Sequence, residues 1–76
     1  MDNNLCKEAG KRIYRIRKEK GYTRDMLADK AGISSKFLYE IECGTKRFSA
    51  EYLGRIAKAL NVSCDYLLFG DEDTLK

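Results

Sequence analysis

The side chains with the most chemistry to offer in this sequence are its lysines and arginines, which are concentrated near the start of the chain. Between Lys7 and Arg24, eight basic residues stand against two acidic ones, whereas residues 65–76 carry four acids and one lysine. Such an uneven distribution gives one face of a small protein a positive potential that attracts a polyanion. Because charged helix faces are often simply solvated, the asymmetry indicates an anionic partner without identifying it.

Catalysis and metal binding have little support in the residue types present. The chain has no histidine and no recognisable pair of nucleophile and base, and a small domain rarely encloses a deep pocket. We therefore expect no enzymatic activity, no cofactor and no small-molecule ligand. The three cysteines, Cys6, Cys43 and Cys64, form no C-x-x-C pair, which disfavours a zinc site or a disulfide framework. Thiols that fill small core or boundary positions are the favoured interpretation.

The length and composition are those of one small soluble domain. The chain has 76 residues, of which 43% are hydrophobic and 36% are charged. No apolar run approaches the roughly 20 residues that cross a bilayer, and the first residues become charged before any apolar signal-peptide segment. We therefore expect a cytoplasmic protein without a membrane partner.

Hydrophobic periodicity predicts five helices and no strand. The first helix runs from about Leu5 to Lys20 and is ended by Gly21. The other four are expected over residues 23–32, 34–43, 49–60 and 63–69. Each of these four begins at a residue type that commonly caps helix N-termini, namely Thr23, Ser34, Ser49 and Ser63. The short connections predict an all-α domain over residues 5–70 in which the helices pack directly together, followed by a disordered acidic tail at residues 71–76.

The second and third predicted helices form the most informative pair. Each spans about two turns, and Gly32 lies between them where a tight turn is needed, which matches a helix-turn-helix. Glycine adopts the left-handed backbone conformation of such a turn at little cost. A plain helical hairpin with a solvated polar face would show the same local pattern. In a helix-turn-helix, five side chains would lie where they can face a DNA major groove: Ser34, Ser35, Lys36, Tyr39 and Glu40.

Four stretches of the sequence extend this pattern and resemble the Cro/phage-repressor type of helix-turn-helix domain, also called XRE-like. They are RIRKEKGYT (15–23), LADKAGIS (27–34), EIECG (40–44) and LGRIAKALNVSCDYLLFG (53–70). The resemblance covers about residues 5–70 in the expected order, and is therefore more specific than the helix pair alone. It implies a five-helix, lambda-repressor-like fold that binds operator DNA, usually as a two-fold dimer, with the third helix in the major groove.

The resemblance also implies roles for individual residues. The recognition helix, residues 34–42, would meet base edges or nearby phosphates through the five side chains named above. Arg17 and Glu42 match a pair that forms a partly buried salt bridge between the first helix and the end of the recognition helix. Contacts to the DNA backbone are expected from Thr23, Arg24, Lys46, Arg47 and Arg17.

One position departs from the family pattern, and several roles stay open. Arg24 stands where the family usually has a glutamine that contacts a phosphate, and an arginine can keep that contact. Lys36 can favour guanine, whereas Glu40 can accept a hydrogen bond from cytosine or repel phosphate. Phe37 either packs between the third and fourth helices or contacts a thymine methyl group. No operator sequence follows from these residues.

The complete pattern predicts a sequence-specific transcriptional regulator that binds double-stranded DNA. A domain of this size covers few base pairs, so we expect a homodimer whose surface comes from the fourth and fifth helices. The candidates for that surface, one of which is expected to pack inward, are Tyr66, Leu67 and Phe69. The alternative is a protein-interaction module of the same fold, such as an antitoxin or anti-repressor, that uses the basic first helix and Tyr39.

Overall fold

Five α-helices follow one another with short connections in the computed structural model, which describes residues 2–70. The helices are Asn3–Glu19 (α1), Arg24–Ala31 (α2), Ser35–Cys43 (α3), Ala50–Leu60 (α4) and Cys64–Phe69 (α5). The predicted all-α fold of five helices is thus confirmed, and the described range contains no strand. None of these helices has the length and apolar character needed to cross a membrane. The acidic tail predicted at residues 71–76 lies outside the described residues.

Three of the four predicted serine and threonine caps close helix N-termini as expected. Thr23, Ser34 and Ser63 each accept a hydrogen bond from the backbone N–H three residues later, at 3.0 or 3.1 Å. Each bond satisfies a helix N–H that has no partner within its own helix. Ser49 occupies the predicted N-cap position of α4 but makes no side-chain hydrogen bond there.

The first helix begins two residues earlier than predicted because of a cap that the hydrophobic pattern does not report. The carboxylate of Asp2 accepts a hydrogen bond of 2.6 Å from the backbone N–H of Asn4. Aspartate is among the preferred N-cap residues, and its charge suits the positive end of the helix. The helix therefore starts at Asn3 instead of Leu5.

The core receives large aliphatic side chains from every helix. Those that are fully buried are Ile13, Leu27, Leu38, Ile41, Ile56, Leu60 and Leu67. Burying one such side chain contributes about 1.5–3 kcal/mol relative to leaving it exposed. Because helices of six to nine residues are marginal in isolation, this shared core is what keeps α2, α3 and α5 folded.

The short α5 is held against α1 from two sides. Leu67 is fully buried, so it is the dimer candidate that packs inward and it is not available to a partner. On the other side, Nη1 of Arg12 donates hydrogen bonds to the carbonyl oxygens of Leu67 (3.0 Å) and Leu68 (2.8 Å). These bonds satisfy carbonyl groups in the last turn of the helix, which lack partners within it.

A glycine in the middle of α1 sets how closely this helix approaches α3. Gly10 is buried, and a Cβ atom at this position would collide with the backbone carbonyl of Ile41 in α3. No side chain larger than hydrogen fits without moving the two helices apart. The position of α3 therefore depends on a residue to which the sequence pattern assigned no role.

Substitution of Gly10 by alanine is expected to destabilise the protein by about 1–3 kcal/mol, the usual cost of overpacking a core. In an exposed helix the same change is usually stabilising, because alanine has the higher helix propensity. The free energy of unfolding, measured by urea denaturation, checks the expected sign.

Gly54 in α4 provides the matched control, because a Cβ atom there meets nothing within 4 Å. Gly54→Ala is expected to stabilise the protein by about 0.5–1 kcal/mol. Equal effects of the two substitutions on the free energy of unfolding would contradict a close crossing of α1 and α3.

Candidate nucleic-acid interface

The turn between α2 and α3 has the predicted left-handed residue. Gly32 ends α2 with φ 71° and ψ 36°. The following N–H, from Ile33, donates a hydrogen bond of 3.0 Å to the carbonyl oxygen of Ala28, which closes the end of the helix. Ala28 is itself buried. The left-handed residue ends α2 and lets the chain change direction before α3 begins.

The surface of α3 divides into a buried and an exposed side. Leu38 and Ile41 are fully buried and fix the helix to the core. On the other side Lys36 is exposed and the Tyr39 side chain is 51% exposed. Glu40 is half-buried, and its carboxylate lies 4.0 Å from the ammonium group of Lys46 in the loop after α3. Lys36 and Tyr39 are therefore exposed, as is the cap residue Ser34, whereas Ser35 and Glu40 are half-buried.

The two serines at the start of α3 are already engaged within the protein. The Ser34 hydroxyl caps the helix, as described above. The Ser35 hydroxyl donates a hydrogen bond to the carboxylate of Asp25 in the first turn of α2, so the N-terminal ends of the two helices are tied together. Sequence periodicity does not indicate this bond, because it joins two different helices. Each serine oxygen keeps a lone pair that can accept a hydrogen bond from a base.

The predicted ion pair between Arg17 and Glu42 is present and is almost fully enclosed. The Nε of Arg17 lies 2.8 Å from one carboxylate oxygen of Glu42, and its Nη2 lies 3.2 Å from the other. The two side chains are 6% and 2% exposed. The Nη1 of Arg17 donates to the carbonyl oxygen of Tyr22 at 3.0 Å. The pair connects α1, the start of α2 and the end of α3.

This burial corrects one of the roles expected for Arg17. All three of its nitrogen atoms are engaged with protein acceptors, and its side chain is enclosed. Arg17 is therefore a brace, and the structure does not leave it free to bind a phosphate as well. Arg24 is the second cation at this carboxylate, because its Nε lies 3.3 Å from Glu42. With two arginines and one glutamate, the cluster keeps a net positive charge.

A shallow hollow of about 460 Å³ opens beside this cluster at the start of α2. Two of its side chains, Tyr14 and Lys18 in α1, were not among the residues predicted to contact the DNA backbone. Both are exposed, and the Lys18 ammonium lies 6.0 Å from the centre of the Tyr14 ring. Their spacing of four residues, one helical turn, was the available signal. The hollow is lined by Tyr14, Arg17, Lys18, Gly21, Tyr22, Thr23 and Arg24.

The remaining predicted backbone contacts lie on either side of α3. Thr23 and Arg24 are at the start of α2, with Arg24 partly exposed. Lys46 and Arg47 are exposed in the loop that follows α3. Arg24 contacts Glu42 and Lys46 lies 4.0 Å from Glu40, so both cationic groups are beside the C-terminal half of α3. Such groups are the usual partners of phosphate oxygens.

The structure decides between the two roles considered for Phe37. The side chain is half-buried against the core. Its ring meets that of Tyr52 in α4 edge to face, with the ring centres 5.0 Å apart, a favourable geometry for two aromatic rings. Phe37 therefore packs between the third and fourth helices.

The cysteines follow the expected pattern at two of three positions. Cys6 is buried and Cys64 is half-buried, whereas Cys43 is exposed at the end of α3, because Ile41 is the side chain that the last turn directs inward. The Cys43 thiol, one turn after Tyr39, raises the pKa of the Tyr39 hydroxyl above its ordinary value. A phenol is protonated at neutral pH in any case and can donate a hydrogen bond.

Two of the three dimer candidates remain accessible in α5. Phe69 is 53% exposed. Tyr66 is half-buried, and its hydroxyl accepts a hydrogen bond of 2.9 Å from Nη2 of Arg15. Leu67 is excluded by its burial.

The fold and the turn define this chain as a helix-turn-helix domain of the lambda-repressor-like kind. A sequence model of the family described as "Helix-turn-helix" matches residues 13–67, which is most of the chain. The chain therefore belongs to the XRE-type helix-turn-helix family.

Individual relatives agree with this membership. The chain is 38% identical over 66 residues to the HTH-type transcriptional regulator SinR of Bacillus licheniformis, an alignment that covers 86% of this chain and 60% of SinR. It is 45% identical over 58 residues to the uncharacterized HTH-type transcriptional regulator YazB of Bacillus subtilis (strain 168), covering 76% of this chain and 84% of YazB. The structure also superposes on a crystal structure of SinR in complex with DNA, with a TM-score of 0.75 and 39% sequence identity. The superposition covers 79% of this chain and 97% of the SinR chain. The chain thus spans only about 60% of the length of the SinR sequence.

Removal of the charge on Glu42 tests the brace. Glu42→Gln leaves the enclosed Arg17 cation without its anionic partner, and we expect a loss of about 3–5 kcal/mol in the free energy of unfolding or failure to fold. Circular dichroism and urea denaturation measure the loss.

Glu40→Gln is the matched control on the same helix. The Glu40 side chain is 28% exposed and lies 4.0 Å from its cationic neighbour, so its removal is expected to cost less than about 1 kcal/mol. If Glu42→Gln were as mild as Glu40→Gln, the buried pair would not be the brace between α1 and α3.

Proposed function

We propose that this protein is a sequence-specific transcriptional regulator that binds double-stranded DNA with α3 in the major groove. The observation that carries the proposal is the exposed side of α3, where Lys36 and Tyr39 project and where the cationic groups of Arg24 and Lys46 lie beside the same helix. A helix fits the major groove, where base edges carry a distinct pattern of donors and acceptors for each pair. Lys36 would favour guanine, and the protonated Tyr39 hydroxyl would donate to a base or phosphate acceptor.

In this proposal, affinity comes mainly from phosphate contacts and selectivity from α3. Thr23 and Arg24 would hold the backbone on one side of the groove, and Lys46 and Arg47 would hold it on the other. Tyr14 and Lys18, in the hollow beside α2, would extend the backbone contact made by Thr23 and Arg24. Counterion release from such contacts supplies most of the non-specific affinity of DNA-binding proteins. Ser34, Ser35 and Glu40 would contribute to reading through their remaining acceptor oxygens, and their engagement within the protein makes them secondary.

The proposal includes a two-fold homodimer. One recognition helix covers only a few base pairs, and two copies related by symmetry would read two half-sites. Phe69 is the exposed apolar side chain best suited to the dimer contact, with Tyr66 beside it. The protein would act by binding rather than catalysis, in the cytoplasm, where it meets its DNA.

The comparisons support the DNA-binding part of this proposal through the relatives. SinR and YazB carry the names of transcriptional regulators, and SinR has been solved in complex with DNA. At 39% identity over nearly the whole of that SinR chain, a shared mode of binding is a reasonable inference. The operator sequence and the regulated genes differ from one family member to another and are not inferred from these relatives.

Two substitutions separate reading from phosphate binding. Lys36→Ala is expected to weaken binding to an operator selected from random oligonucleotides by about 1–3 kcal/mol, with a much smaller effect on random DNA. Arg47→Ala is expected to weaken both alike and to reduce the slope of log affinity against log salt by about one. Fluorescence anisotropy with labelled duplexes over a range of salt concentrations measures both quantities.

The wild-type protein provides the decisive control. If it binds no duplex from a pool of genomic fragments at low salt, the proposed function fails. The alternative of a protein-interaction module is then tested by pull-down from a lysate, in which binding that survives nuclease treatment would favour a protein partner.

A further inference from the structure

We propose that Arg24 is a positioning residue for base reading, because it links the backbone contact at the start of α2 to the Tyr39 ring on α3. The inference rests on the proposed function and deepens it. It predicts that the base selectivity contributed by Tyr39 in α3 depends on Arg24 in α2, which would not be so if Arg24 only contacted a phosphate.

The first part of the link is the anchor of the Arg24 side chain. Its Nε lies 3.3 Å from Oε1 of Glu42. The Glu42 carboxylate is itself fixed, since it is 2% exposed and paired with Arg17 at 2.8 Å. An arginine side chain in solution has many rotamers, and the anchor at Nε removes most of that freedom. The guanidinium plane is thereby held above α3.

The second part is the contact between the guanidinium group and the aromatic ring. The central carbon of the Arg24 guanidinium lies 5.0 Å from the centre of the Tyr39 ring, within the range of a cation–π interaction. Tyr39 is 51% exposed, so the core does little to fix the direction of its ring. The guanidinium group restricts the ring from one side, and the hydroxyl of Tyr39 is thus presented in a limited range of positions.

The third part is the unused donor capacity of Arg24. Its two Nη atoms make no hydrogen bond to any acceptor in residues 2–70, and the side chain is 36% exposed. Guanidinium groups can bind phosphate through two parallel N–H donors. A phosphate bound at these atoms would hold the guanidinium group over the ring while its Nε stays on Glu42. One planar cation then contacts the DNA backbone, the internal brace and a reading side chain together.

This arrangement is specific to the chemistry of arginine. A glutamine at position 24 keeps an amide donor for phosphate but has no charge to pair with Glu42 and no cation to place over the ring. A lysine keeps the charge but lacks the planar group. The consequence is that a change at position 24 should alter which base pairs are preferred as well as the strength of binding.

The experiment is a double-mutant cycle on DNA affinity with wild type, Arg24→Gln, Tyr39→Leu and the double variant. The probes are an operator duplex selected from random oligonucleotides, its single base-pair variants and one random duplex. We expect Arg24→Gln to reduce discrimination at the base pair that depends on Tyr39 by about three- to tenfold, the scale of a cation–π contact. In the Tyr39→Leu background the same substitution should change discrimination by less than about twofold, so the two effects are not additive.

Two further variants make the readout specific. Tyr39→Phe removes only the hydroxyl to which the reading is assigned, so Arg24→Gln should change discrimination in this background by less than about twofold, as in the Tyr39→Leu background. Arg47→Gln also removes a cationic group beside the DNA but has no ring assigned to it, and it should weaken all duplexes by the same factor. Thermal unfolding of each variant shows that the protein used is folded. If Arg24→Gln does not fold, the cycle is run with Arg24→Lys.

The results distinguish this inference from the proposed function. If Arg24→Gln weakens the operator and the random duplex equally, or if its effect adds to that of Tyr39→Leu, then Arg24 contacts phosphate only and the inference is overturned. The proposed function would survive that result, because the wild type would still select an operator. If the wild type binds no DNA, both fall together.

Discussion

The enclosed carboxylate of Glu42 is the interaction on which the rest of this structure depends. A carboxylate that is 2% exposed carries a large desolvation cost, which is offset here by three nitrogen contacts from two arginines within 3.3 Å. Each partner comes from a different helix, so α1, α2 and α3 meet at one charge. A bidentate arginine pair also fixes direction. The ion pair thereby ties the last turn of α3 to α1 and to the start of α2.

Packing supplies the rest of the constraint on α3. The helix has nine residues and would not persist alone in water. Two fully buried aliphatic side chains hold it to the core, and Gly10 permits the close approach of α1. The left-handed turn at Gly32 sets its entry, and the bond from Ser35 to Asp25 ties its first turn to α2. A short helix held at both ends presents its exposed side chains in a reproducible position, as reading a base sequence requires.

Much of the fold was predictable because local signals act over a few residues. Periodicity predicted all five helices. The left-handed turn at Gly32 and three of the four N-terminal capping bonds were also predicted from residue type. What the pattern left open is of a different kind. Ser49 lies at the predicted N-cap position but makes no capping bond, and the pattern did not say that Leu67 is the dimer candidate that packs inward. Periodicity predicts which side chains share a face of a helix. It does not predict how closely another helix approaches that face, as α3 approaches α1 at Gly10.

The candidate site divides in the same way. The resemblance implied the Arg17–Glu42 pair, which the structure confirms, but also gave Arg17 a phosphate contact that its burial rules out. The Ser35–Asp25 bond, the hollow between α1 and the start of α2, and the cation–π contact of Arg24 with Tyr39 all join residues from different helices, so no local pattern contains them. Selection of duplexes from a fully randomised pool by the wild-type protein tests the central claim most directly. A short enriched motif repeated with two-fold symmetry is the predicted result, and binding without any enriched motif would contradict the claim that α3 reads a sequence.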